Sequence, residues 1–149
     1  MVAEHIAGWP RERMAVIGSS LGGFYATWVM QQTGCKGVLL NPAVDPARDL
    51  ARYIGAQTAW HEPEESFYFK AEYVDELRAL AYPATPDPAN AGDVGKVMAV
   101  IAKGDEVLDW REMTGRLPGA RIKLLEGGDH ALSDFDAHIE QILSFLDLA

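Results

Sequence analysis

Four short apolar runs, each bounded by turn residues, divide the chain: MAVIG at 14–18, KGVLLNP at 36–42, KVMAVIAKGD at 96–105 and ARIKLLEGGD at 120–129. Runs of this length without polar alternation predict strands mostly buried on both faces, as in a parallel sheet. Between the first two, Leu21, Phe24, Tyr25, Trp28 and Val29 recur at i, i+3, i+4, i+7 and i+8, which predicts a helix with a single core-facing stripe. The chain's end repeats the pattern with Phe135, Ile139, Ile142, Leu143 and Leu146; Ser133 and Asp134 stand before it as N-caps, and His138 reads as a solvated flank residue. Strands separated by helices, with no hairpin dipeptide between them, predict right-handed crossovers and a helix-covered sheet of about four parallel strands. The class is α/β.

Residues 43–92 break this rhythm. Pro46, Pro63, Pro83, Pro86 and Pro88 punctuate them, and only Ala71 to Leu80 has a convincing helical pattern. This segment reads as a short, cap-like insertion over the sheet, and residues 1–149 as a single domain. No repeat or low-complexity tract interrupts it.

Composition narrows the function. With 48% hydrophobic residues, 149 residues suffice for one real core. Thirteen Lys and Arg against 22 Asp and Glu give a formal charge of −9, so nucleic acid is an unsuitable partner. No apolar stretch reaches the ~20 residues of a membrane span, and Glu4, His5 and Pro10 do not fit a secretory leader; the expectation is a soluble, cytoplasmic protein without a membrane partner. Cys35 is the only cysteine, which excludes an internal disulfide and reads as a small packed residue.

The chemistry concentrates at Gly18-Ser19-Ser20-Leu21-Gly22, a G-x-S-x-G placed after a predicted strand and before a predicted helix. A sharp turn there would strain the serine backbone, and Gly18, Gly22 and Gly23 would let strand and helix approach. Ser20 is the candidate nucleophile, since Ser19 occupies the variable position, and the Leu21 N–H is the candidate oxyanion donor. A serine hydroxyl needs a histidine base and an orienting carboxylate. Asp105 and His130 each follow a later strand, in the order Ser, Asp, His of an α/β-hydrolase. Glu106 and Asp109 compete with Asp105 for the acid, and Asp109 equally suits the start of the following helix. His5 and His61 are weaker candidates for the base. A phosphate loop is disfavoured because no G-x-x-x-x-G-K-[ST] or G-x-G-x-x-G occurs, and metal catalysis because no H-E-x-x-H or paired-histidine spacing does.

The segments GSSLGGFYATW, LLNPAV, GDEVLDWRE and EGGDHALSDFDAHIEQILSFL resemble the small YqiA-like bacterial esterases of the α/β-hydrolase superfamily, from about Met14 onward. The resemblance implies a three-layer sandwich, Ser20 as nucleophile, Asp105 as acid, His130 as base, and a structural role for Asn41 and Pro42 at the pocket floor. It implies cofactor-free hydrolysis of short-chain carboxylic esters, with a small-molecule ester as partner. Members of that family begin with a strand and a His-Gly-Phe type turn supplying a second oxyanion donor, so the chain is expected to be truncated at its amino end by roughly 40 residues, about one βαβ unit. The elbow strand would then be an exposed edge open to self-association, and turnover would be weak. Trp60, Phe67 and Tyr68 are candidates for an acyl pocket or for simple cover of the sheet. Thioester cleavage, and a noncatalytic α/β module, stay open as alternatives.

Overall fold

A computed structural model describes residues 2–58, 66–81 and 95–148. They form two compact units, one built from the described residues up to 44 and from 95 on, and the other from those between 45 and 81.

In the first unit, α1 (Val2–Ile6) and a 3-10 turn (Arg11–Arg13) lead into β1 (Ala15–Ser19), α2 (Leu21–Thr33) and β2 (Lys36–Leu40). The chain rejoins the sheet at β5 (Val97–Ala102) and continues through α5 (Trp110–Gly115), β6 (Arg121–Leu125) and α6 (Ile139–Phe145). The four strands are parallel in the order β1-β2-β5-β6. The central pair follows the expected two-faced burial. Leu39, Ala99 and Ile101 pack with Ala26, Val29 and Met30 of α2 and Met113 of α5 on one face. Val38, Leu40, Met98, Val100 and Ala102 pack with Ile142 and Leu146 on the other. These two cores make the three layers, and each fully buried Val, Leu, Ile or Met side chain in them contributes about 1.5–3 kcal/mol.

The outer strands depart from two-faced burial. In β1, Ala15, Ile17 and Ser19 are exposed, and in β6 Arg121 and Leu124 are. An end strand has one neighbour, so its side chains are covered less completely than those of the central pair: Val16 of β1 and Ile122 of β6 pack on one core and Leu125 of β6 on the other.

Helix α2 forms where expected but buries a different set of residues. Gly23, Phe24, Ala26, Thr27, Val29 and Met30 are buried, whereas Tyr25 is exposed and Leu21 and Trp28 are half-buried. The helix is apolar almost all round, so periodicity alone finds no unique stripe, and close approach at the helix start places Gly23 and Ala26 on the buried side with the larger Phe24, Val29 and Met30. A side chain at Gly18 would meet the Gly22 carbonyl oxygen at 2.2 Å, and one at Gly23 would meet Pro42 Cβ at 2.7 Å. Gly22 itself faces open space, so crowding does not require glycine there. Thr27 donates its hydroxyl to the Gly23 carbonyl at 2.9 Å, and Gly34 ends the helix at a left-handed φ of 71°.

The terminal segment begins with a 3-10 turn (Phe135–Ala137) before α6. The Asp134 side chain makes no capping bond there, and Ser133 is bound instead to Asp129. His138 is buried, not solvated: it lies four residues before Ile142 and so shares the core-facing stripe. Lys123 Nζ donates to its Nδ1 at 3.0 Å, and Asp134 Oδ2 lies 3.2 Å from its Nε2 without hydrogen-bond geometry.

The second unit contains α3 (Pro46–Leu50), a 3-10 turn (Ala51–Tyr53), β3 (Gly55–Thr58), β4 (Ser66–Phe69) and α4 (Ala71–Leu80), the last with the bounds read from its sequence pattern. Asp45 caps α3 by accepting the Arg48 N–H, and α3 packs on α4. The antiparallel β3–β4 pair was not expected. No two-residue turn signal joins these strands, because residues 59–65 separate them in the chain.

Candidate active site

The turn after β1 carries Ser20 at φ 52° and ψ −122°. Backbone of this kind costs a non-glycine residue on the order of 1–3 kcal/mol and persists only where its surroundings enforce it. Here the Ser20 N–H donates to the Leu40 carbonyl at 3.0 Å, while the Ser20 carbonyl accepts from Gly23 and Ala43, each at 2.9 Å. The serine is thus held from both sides with its hydroxyl projecting from the carboxyl end of the sheet.

Asp105 follows β5 by three residues. Its side chain is 0% exposed, and its Oδ1 accepts the N–H groups of Val107 and Leu108, both at 2.8 Å. The other oxygen, Oδ2, lies 2.8 Å from His130 Nδ1. A carboxylate can only accept, so Nδ1 carries the proton and Nε2 is left to accept from the Ser20 hydroxyl, 2.9 Å away. Ser20, His130 and Asp105, successively 110 and 25 residues apart in the chain, therefore form one continuous relay at the ends of β1, β6 and β5.

His130 is held by its backbone as well. Its N–H donates to Glu106 Oε2 at 3.0 Å, so Glu106, considered above as a rival acid, anchors the loop that carries His130. Asp109 accepts the Arg111 N–H at 2.8 Å and caps α5. Asp129 accepts from both the hydroxyl and the N–H of Ser133, which lowers its carboxyl pKa below the usual value.

Leu21 opens α2, where the first N–H groups of a helix have no intrahelical acceptor. His5 lies on α1, exposed, and His61 falls outside the described residues. Phe67 and Tyr68 lie on β4 in the second unit, 51% and 63% exposed, and Trp60 is also outside the described residues. Among the described residues no group of three His, Cys, Asp or Glu side chains is arranged to hold a metal ion, and no helix is long and apolar enough to cross a membrane. Asn41, given a structural role by the family resemblance, reaches the backbone of His130 with its side chain at 3.0 Å; the LLNPAV segment pointed to the residue but not to this partner.

Residues 1–147 match the family described as Uncharacterised protein family (UPF0227). A UPF0227 protein of Yersinia pseudotuberculosis is 24% identical over 138 residues, covering 92% of this chain and 67% of that protein. Among solved structures, a candidate hydrolase from Agrobacterium vitis S4 is similar with a TM-score of 0.67 at 21% identity, over 97% of this chain and 64% of the other. Mouse alpha/beta hydrolase domain-containing protein 10 is similar with a TM-score of 0.63 at 16% identity, over 98% and 66%. The chain thus spans about two thirds of the length of each of these proteins, and it shares the fold of the two solved structures.

Proposed function

From its membership of the UPF0227 family and its α/β-hydrolase fold, we propose that the chain is a serine hydrolase that cleaves short-chain carboxylic esters through an acyl-enzyme. One observation carries the reading: the unbroken relay from the Ser20 hydroxyl through His130 to a fully buried, fully paired Asp105. A buried carboxylate paired with a neutral imidazole and two backbone N–H groups is a costly arrangement for stability alone, and it is what nucleophilic catalysis by serine needs.

In the proposed mechanism His130 Nε2 takes the Ser20 proton as Oγ attacks the ester carbonyl. The Leu21 N–H donates to the developing oxyanion, a contact worth about 3 kcal/mol in comparable sites. Asp105 keeps the proton of His130 on Nδ1 and stabilises the imidazolium, which then protonates the leaving alcohol; water repeats the sequence on the acyl-enzyme. The resemblance to YqiA-like esterases favours an oxygen ester over a thioester.

Labelling with a fluorophosphonate, followed by peptide mapping, tests this directly. Modification is expected at Ser20 and should vanish in Ser20→Ala and His130→Ala. A folded chain that takes up no label would replace the hydrolase by a noncatalytic module.

A further inference from the structure

The four residues from Leu40 to Ala43 touch the backbone around every member of the relay. Leu40 and Ala43 grip Ser20 from its two sides. Between them stands Asn41, 0% exposed and at a left-handed φ of 39°. Its Oδ1 accepts the Ala102 N–H at 2.8 Å, and its Nδ2 donates to the carbonyls of Asp129 at 2.9 Å and His130 at 3.0 Å. One donor and two acceptors around the amide fix its orientation, and both amide hydrogens are used.

Those partners lie where the sheet can no longer hold the two loops. The backbone–backbone links between the acid and base strands continue past β5 and β6 as Lys103 N–H to Leu125 and Gly104 N–H to Gly127, and among the described residues then stop; farther out, side chains join the loops, Glu106 accepting the His130 N–H at 3.0 Å. Asp105 and Asp129 come next. The Asn41 amide spans this point, joining the end of the acid strand to the two residues that carry the imidazole. A glycine would suit the left-handed backbone and would bury no amide, so the side chain is retained at two costs.

The geometry points to Asn41 as a positioning residue that sets the distance between the acid loop and the base loop, and with it the His130–Asp105 bond. This rests on the relay acting as proposed above. Displacing a catalytic group by about 1 Å can cost on the order of 10²-fold in rate, so the amide governs turnover without touching substrate.

The test compares wild type, Asn41→Gly and Asn41→Asp. Glycine accepts the backbone angle while deleting three hydrogen bonds; aspartate keeps the Ala102 bond but turns an oxygen against two carbonyls. Folding is checked by circular dichroism, the His130 Nδ1 proton and ring titration by NMR, and kcat and KM with p-nitrophenyl acetate. The expected result is a folded Asn41→Gly protein with kcat lowered roughly 10- to 100-fold, KM nearly unchanged, and a displaced His130 titration. A general loss of stability would reduce the active fraction without moving that titration. Should wild type fail to turn over ester while the Nδ1 proton is present and is lost in Asn41→Gly, the hydrolase reading falls and the positioning role stands. Folded variants with wild-type kcat and His130 titration would overturn the role, as would variants that do not fold, since Asn41 would then hold the fold and not the site.

Discussion

Ser133 gives the Asp129 carboxylate two hydrogen bonds, from its hydroxyl at 2.6 Å and its N–H at 2.9 Å. The hydroxyl bond is the larger cause of the lowered Asp129 pKa, with the N–H bond second. A depressed carboxyl stabilises the folded state above its ordinary value, 3.8, and that contribution is lost as pH falls through the folded-state pKa. Thermal melts taken from neutral pH down through this range should therefore fall more steeply for wild type than for Ser133→Ala; parallel curves would show that the pair does not couple to folding. At this scale the sequence displayed the letters of the relay, because Ser20, Asp105 and His130 each follow a strand. It singled out Asn41 only through the family resemblance and hid its side-chain partners, which lie 61, 88 and 89 residues away, and it misplaced His138, because a lone histidine beside charged residues looks solvated until the register of its helix is known.

At the scale of elements, close packing sorts the three glycines around the elbow. Gly23→Ala should destabilise by about 1–3 kcal/mol through its clash with Pro42. Gly22→Ala, in open space on α2, should be neutral or stabilise by up to about 1 kcal/mol. Urea unfolding of the two variants checks the contrast, and equal effects would refute it. Periodicity located α2 and α4 because helices that pack along one side leave a local repeat. It could not identify the buried face of α2, where almost every position is apolar, nor the β3–β4 pair, whose partners are separated in the chain by residues 59–65.

For the molecule as a whole, the α/β class was legible because buried parallel strands leave continuous apolar runs, whereas their order in the sheet was not, since pairing is decided between segments far apart. Strand β1 ends the sheet among the described residues, with Ile17 46% exposed. Edge strands of this kind invite pairing with a second chain, and a lysine on them opposes it. Ile17→Lys should lower self-association in sedimentation velocity at high protein concentration; an unchanged distribution would remove β1 as the contact. The strand order has one more consequence. β2 and β5 are neighbours, yet the chain leaves the sheet after Leu40 and returns only at Val97. Each doubling of such an excursion costs only about 0.6 kcal/mol in closure entropy. Evolution can therefore lengthen, shorten or replace most of this stretch at small thermodynamic risk, while the residues that frame the relay stay where the strands put them.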